Sequence, residues 1–321
     1  MSTTTPQTVT RAETAAPGPT RPVLAVDLVT DPAFVGRFAA LARRLEEAGA
    51  GALTLSDGGL HPIHVAAHLA PVTRAVGLLP RTDAVYVEPF HLATQLMSLD
   101  HISHGRAGWL VHAQTDPSVP ATVGRSPLDR AATAREAADV LETSRLIWDS
   151  WAPDAVVRDT AGGKYLDASR LQYADVEAET FSVRGPAITP RSPQGLLPVL
   201  VADADRAAAG ERVASELADG RVLDLDLRSG ADGALEAVAA AREEADGPVV
   251  RLVRVVGLDL GADPLGPVPE LIDALREQGL IAPAPVVGTS LREQLGLPPA
   301  PHHLDPVRRA DRARLTREDH S

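Results

Sequence analysis

The sequence predicts an α/β fold, a βα barrel carrying one insertion, on three observations. Short apolar runs alternate with longer segments of helical periodicity, the pattern of βα units around a parallel sheet. The chain has 321 residues, more than the ~100–200 of an ordinary domain, and barrels reach ~250 as one unit. Residues 149–195 break the alternation, because Pro153, Gly162, Gly163, Gly185, Pro186, Pro190, Pro193 and Gly195 interrupt them too often for regular packing. That stretch reads as an insertion loop or a small β subdomain.

The first 21 residues are rich in Thr, Ala and Pro and are expected to form a disordered tail. The strand candidates follow in order: Val23–Val29, Ala52–Ser56, Val76–Leu79, Ala107–His112, Val199–Ala202, Val222–Leu227 and Val249–Leu258. Between the first two, Phe34, Phe38, Leu41 and Leu45 share one helix face, and Gly49 stands where a helix ends. Thr133–Trp148 is a second helix, with Ala137, Val140, Leu141, Ser144 and Trp148 on one side. Leu235–Ala245 is helical on its alanine content alone. Val268–Gln278 closes on Gly279, and residues 301–321 are a charged tail. The domain proper is thus residues 22–300.

Composition excludes several function classes. Without cysteine there is no disulfide framework, thiolate zinc site or cysteine nucleophile. A net charge of −12 repels phosphate backbones and anionic lipid, and no basic, aromatic-interleaved stretch opposes it, so nucleic acid and membranes are not expected partners. The N-terminus has no signal-peptide pattern and no apolar run is long enough to span a bilayer, so the expected location is cytoplasmic.

Few polar constellations carry a specific chemistry. His61, His64 and His68 share a helix face, but a zinc pair at i, i+4 with an adjacent acid is not formed, and no metal is expected. Gly105–Arg106 reads as a turn before a strand. Trp148 and Trp151 read as helix-end packing. No nucleophile elbow, dinucleotide fingerprint or Walker loop is present. His112 and Asp57 are the polar groups to mutate first, His112 because active groups emerge at the C-terminal ends of barrel strands. No catalytic residue is assigned.

Three ordered stretches resemble the luciferase-like flavin-dependent monooxygenases, in the nitrilotriacetate and dibenzothiophene-sulfone branch. The first is LTLSD, then HPIHVAAHLAPVTRAVGLL, then YVEPFHLATQLMSLDHISHGRAGWLV. The second is LIWDSWAPDAVVRDTAGGKYLD with FSVRGPAITPRSPQGLLPVLV, similar to that branch's long insertion. The third is LREQGL followed by GTSLREQLGLPPAP. The resemblance implies a TIM-type (β/α)8-like barrel that binds reduced FMN, supplied by a separate flavin reductase, and oxygenates a small-molecule substrate.

The positions of this chain that correspond to the family's cofactor pocket are Asp57, Thr82, Leu110, Ala113, Asp203 and Ala204. Several carry altered side chains. The family's Trp-Asn-x-x-Thr is Trp109-Leu110-Val111-His112-Ala113 here, an Arg-Tyr pair is Thr133-Ala134, and the phosphate cradle reads Val201-Ala202-Asp203-Ala204-Asp205. The alternative reading is therefore a degenerate, flavin-free relative, a pseudoenzyme acting as a binding or regulatory partner. Val249–Leu258 passes through GADPLGP straight into Val268–Gln278, too short a link for a helix plus a strand, so the eighth strand is expected to be missing. An open seven-stranded barrel would expose two edges, which suggests a homodimer or a heterodimer with a paralogue.

Overall fold

The computed structural model describes residues 21–302 apart from 228–229, 244–247, 262 and 264. In chain order the elements are β1 (Val23–Val29), α1 (Phe38–Glu47), β2 (Ala52–Ser56), α2 (Pro62–Leu69), β3 (Gly77–Asp83), α3 (Pro89–Ile102) and β4 (Trp109–His112). A short α4 (Val119–Thr122) and the long α5 (Arg130–Trp148) follow, then four small strands, β5 (Val156–Asp159), β6 (Lys164–Leu166), β7 (Val176–Glu177) and β8 (Ser182–Val183). The chain returns through β9 (Val199–Ala202), α6 (Arg206–Ala209), β10 (Gly220–Asp226), α7 (Gly230–Glu243), β11 (Val250–Val256), α8 (Val268–Glu277) and α9 (Leu291–Gln294).

Seven parallel strands close into a barrel in the order β1, β11, β10, β9, β4, β3, β2. The alternation of side chains along each strand divides the molecule into an outer core beneath the helices and a narrow interior. Val23, Ala25, Leu79, Leu110, Leu200, Val222 and Leu252 pack inside, and Leu291 and Leu295 of α9 enter the same cluster. Two glycines make room for Leu291. A Cβ on Gly77 would stand 2.6 Å from its Cδ1, and one on Gly108 2.8 Å from its Cδ2. Above this apolar floor the interior is charged: Arg254 forks onto Asp224 with two contacts of 2.8 Å, and Asp27 accepts from Thr54 and Ser56 at 2.6 and 2.8 Å.

Helix ends are fixed by side chains as well as by the strands. Glu46, in the last turn of α1, accepts the N–H groups of Arg74, Ala75 and Val76 at 2.9, 2.7 and 2.9 Å, which sets the entry to β3. Glu88 caps α3 by accepting from Phe90 and His91. The SLDHISHGR run is structural throughout. Fully buried Asp100 accepts from the Gln194 side chain at 2.6 Å and from Ala107 N–H at 3.2 Å. Arg106 donates to the carbonyls of Ser103, Val76 and Ala70, and Gly105 takes the left-handed turn, φ 85°.

All seven expected strands are present, β1, β2 and β9 with the expected ends and the other four with shifted ones. β3 runs past Leu79 through polar residues to Asp83, because its last residues face the barrel mouth and need no apolar pattern. The insertion is two hairpins, β5 with β6 and β7 with β8, bridged to the barrel by ordered loops. Trp148 packs edge-on against Trp109, with ring centroids 6.4 Å apart, while Trp151 donates to Ala187. No eighth barrel strand occurs among the described residues. The expected open edges are a correction. β11 pairs directly with β1, Val23 opposite Leu252 through Val26 opposite Val255, so seven strands close the ring and leave no edge for a partner to cover. The expected tails lie almost wholly in residues 1–20 and 303–321, outside the described residues.

Candidate functional site at the C-terminal rim

Parallel strands place their C-terminal ends together, and here β2, β3 and β4 end in Ser56, Asp83 and His112. Asp83 and His112 are direct register partners on neighbouring strands. Next to β4 on its other side, the turn after β9 presents Asp205, buried, whose carboxylate is gripped by Arg81. Arg81 Nε lies 2.9 Å from Oδ2 and Nη2 lies 2.6 Å from Oδ1. His112 Nδ1 is 2.9 Å from Asp205 Oδ1 and 2.6 Å from Arg81 Nη2. On its other side, Nε2 is 3.6 Å from Asp83 Oδ1.

These surroundings separate the carboxyl groups. Burial alone would push Asp205 up, but hydrogen bonds from His112 and Arg81 and their charges outweigh it and hold it at about 2. Burial pushes Asp83 up, against the pull of His112 and Arg81. The buried oxygens Thr82 Oγ1 and Asp83 Oδ1 have no hydrogen-bond partner among the described residues. His61, which caps α2 by accepting from Ile63, is pushed down by burial and by His64 beside it.

Two troughs open on this rim and share Gln114. One, of about 410 Å³, has Tyr86, Arg130 and Thr133 in its wall. The other, of about 320 Å³, is bounded by Asp57, His61, Arg81, Thr82, Asp83, His91 and His112 among others. Together they fall in the volume range of small-molecule and cofactor sites. The wall of the first trough is fastened by Glu136 of α5. It accepts the Tyr86 N–H at 2.6 Å and a fork from Arg125 at 2.7 and 2.6 Å, while Tyr86 itself sits at φ 60°. Arg125 also stacks over the Tyr86 ring, 4.9 Å from its centroid.

Of the positions implied by the resemblance, Asp57 and Thr82 line the second trough. Leu110 and Ala113 are fully buried in the two apolar clusters. Asp203 and Ala204 line neither trough, and Asp203 is paired with Arg221 at 2.8 Å. His112, singled out by its strand-end position, lies at the centre of the site. Sequence reasoning missed Tyr86, Gln114 and Arg130. Tyr86 and its Glu-Pro neighbours were quoted as part of a motif, but nothing in one chain's pattern shows that Arg130, upstream of a helical run, turns toward a cavity.

Residues 20–258 match a family model described as luciferase-like monooxygenase. The chain is 35% identical over 159 residues to N-acetyl-S-(2-succino)cysteine monooxygenase of Bacillus subtilis (strain 168), covering 49% of this chain and 36% of that protein. It is 35% identical over 164 residues to nitrilotriacetate monooxygenase component A of Aminobacter aminovorans, covering 50% and 35%. The matched part thus spans about a third of those relatives' length. In three dimensions the chain is similar to a riboflavin lyase solved with modified FMN and riboflavin, with TM-score 0.57, 21% identity, and coverage of 73% of this chain and 62% of that one.

Proposed function

The chain belongs to the luciferase-like monooxygenase family, and on that premise we propose that it is the oxygenase component of a two-component system, taking reduced FMN from a separate reductase to oxygenate a small molecule. The observation that carries this reading is the pair of troughs on the C-terminal rim, joined at Gln114, with buried polar atoms that find no partner among the described residues. Such atoms cost free energy unless something outside the chain satisfies them.

The residues present fit the cofactor with contacts that include Thr82, among the positions the resemblance implied, and add others on the same rim. Arg130, Thr133 and the Tyr86 hydroxyl would hold the phosphate end, where the guanidinium supplies the charge. Thr82 and Gln114 would meet the polar edge of the ring system. Asp203 and Asp205 do not oppose an anion there, since their charges are taken up by Arg221 and Arg81. When bound, reduced FMN supplies the electrons that activate O₂; the protein binds it, orients it and keeps water from it.

Titration of the purified chain with FMN and with anaerobically reduced FMN tests the proposal. Micromolar binding of the reduced form and a rise in melting temperature are expected, with Arg130→Ala weakening binding about tenfold or more. No binding of either form up to millimolar concentration would instead favour the flavin-free partner reading.

A further inference from the structure

Four ionisable groups meet at the mouth: Arg81 and Asp83 from β3, His112 from β4, and Asp205 from the turn after β9. Arg81 and Asp205 cancel one another in a forked pair. What remains is Asp83 beside His112, and the cluster is neutral when those two carry one proton between them. The proton can sit on the carboxyl with the ring neutral, or on the ring with the carboxyl ionised. Neither location changes the net charge of the cluster.

We propose that Asp83 and His112 share one mobile proton, that Asp205 positions the imidazole for it, and that Asp83 exchanges the proton with a ligand in the trough. This rests on the reading of the rim as a ligand site. The geometry supports each part. Asp205 faces the Nδ1 side of the ring at 2.9 Å, as a buried carboxylate orients the imidazole of a catalytic triad, and Arg81 Nη2, itself held by Asp205, packs against the same nitrogen at 2.6 Å. The Nε2 side faces Asp83 Oδ1 across 3.6 Å, and that oxygen is buried with no hydrogen-bond partner among the described residues. Asp83 and His112 both line the trough. The other charges that face the pair are Asp57, which acts on Asp83, and Arg254, which acts on Asp205 from β11.

The step is a proton transfer without redox change. The O–H bond of Asp83 breaks and its proton bonds to an electron-rich ligand atom. Asp83 is left ionised beside neutral His112, whose Nδ1–H faces Asp205. The partly exposed ring then takes a proton at Nε2 from solvent and passes it to Asp83, which restores the starting state.

The test is ¹³C NMR of the Asp83 carboxyl in the full chain, followed against pH without ligand. A shared proton predicts two steps, because the titration belongs to the pair. His112→Gln should leave one step, moved to higher pH, since His112 pulls Asp83 down. Asp205→Asn should bring the two steps closer together. Asp83→Asn, read at the His112 ring nitrogens, is the second variant and should leave one step there. A single step for wild-type Asp83, or two steps that survive His112→Gln, overturns the proposal. A cluster that only braces the rim would lower the melting temperature of these variants and leave the step pattern as it is in wild type.

With reduced FMN as probe, the pH profile of its oxidation by O₂ in the presence of the protein should flatten in His112→Gln and Asp83→Asn, with rates about 100-fold lower. A wild-type chain that binds no FMN counts against the proposed function alone. The ligand-free titration decides the relay in either case.

Discussion

Asp205 shows how a single residue can set both stability and chemistry. Its carboxyl is lowered from 3.8 to about 2 in the folded state, so its contribution is fully present above 3.8 and lost as the pH falls from there through about 2. A shift of that size is worth about 2 kcal/mol. Asp205→Asn should therefore flatten the acid limb of the unfolding free energy, and urea titrations of both proteins between those pH values should converge at the acid end. Arg81→Met should cost more, about 3–5 kcal/mol, because it leaves a buried carboxylate with only His112 as partner. A loss below 1 kcal/mol at neutral pH would show that the pair is already solvated. None of this was legible from the run Arg81-Thr82-Asp83-Ala84, where the sequence shows opposed charges side by side. The partner of Arg81 lies 124 positions further on.

At the scale of elements, α9 has four residues and depends on its place in the barrel floor for stability. Ser290 and Glu293 form a capping box, and Leu291, fully buried, reaches up between the glycines that begin β3 and precede β4. Leu291→Ala should destabilise by about 2–5 kcal/mol, measured by denaturant unfolding, and Gly108→Leu should be worse, since its side chain would occupy the same space. The strands and long helices were legible because their burial is periodic: Leu41 and Leu45 of α1 and Leu271 and Leu275 of α8 are buried as spacing alone requires. α9 was legible only as a motif, for a single turn has too few residues to show a period. The eighth strand's absence was also legible, from the short link after β11. Closure was not, because whether seven strands can meet depends on their tilt and stagger, which no local pattern records.

Over the whole molecule, the insertion and the barrel should unfold together. Gln194, at the insertion's end, donates to Asp100 of α3 and to Ala107, and accepts from the Arg292 N–H of α9 at 2.7 Å. Asp149 and Arg191 pair across the base of the insertion at 2.5 Å, both nearly buried. Fluorescence from Trp151, in the insertion, and from Trp109, in the barrel wall, should therefore report one midpoint in single-tryptophan variants. An earlier transition at Trp151 would show a separable unit. The barrel is thus held by joints that lie far from the rim, at the opposite end of the strands from Asp83 and His112. A ring of seven strands is also narrower than one of eight, since barrel diameter grows with strand number, and here its bore is already filled by leucines below and by Arg254 with Asp224 above. A guest molecule has no shaft to enter. It must lie across the top like a lid on a jar, touching strand ends and loops only, so its outline is set by the loops, and chains sharing this frame can exchange one guest for another by altering loops while the ring stays as it is.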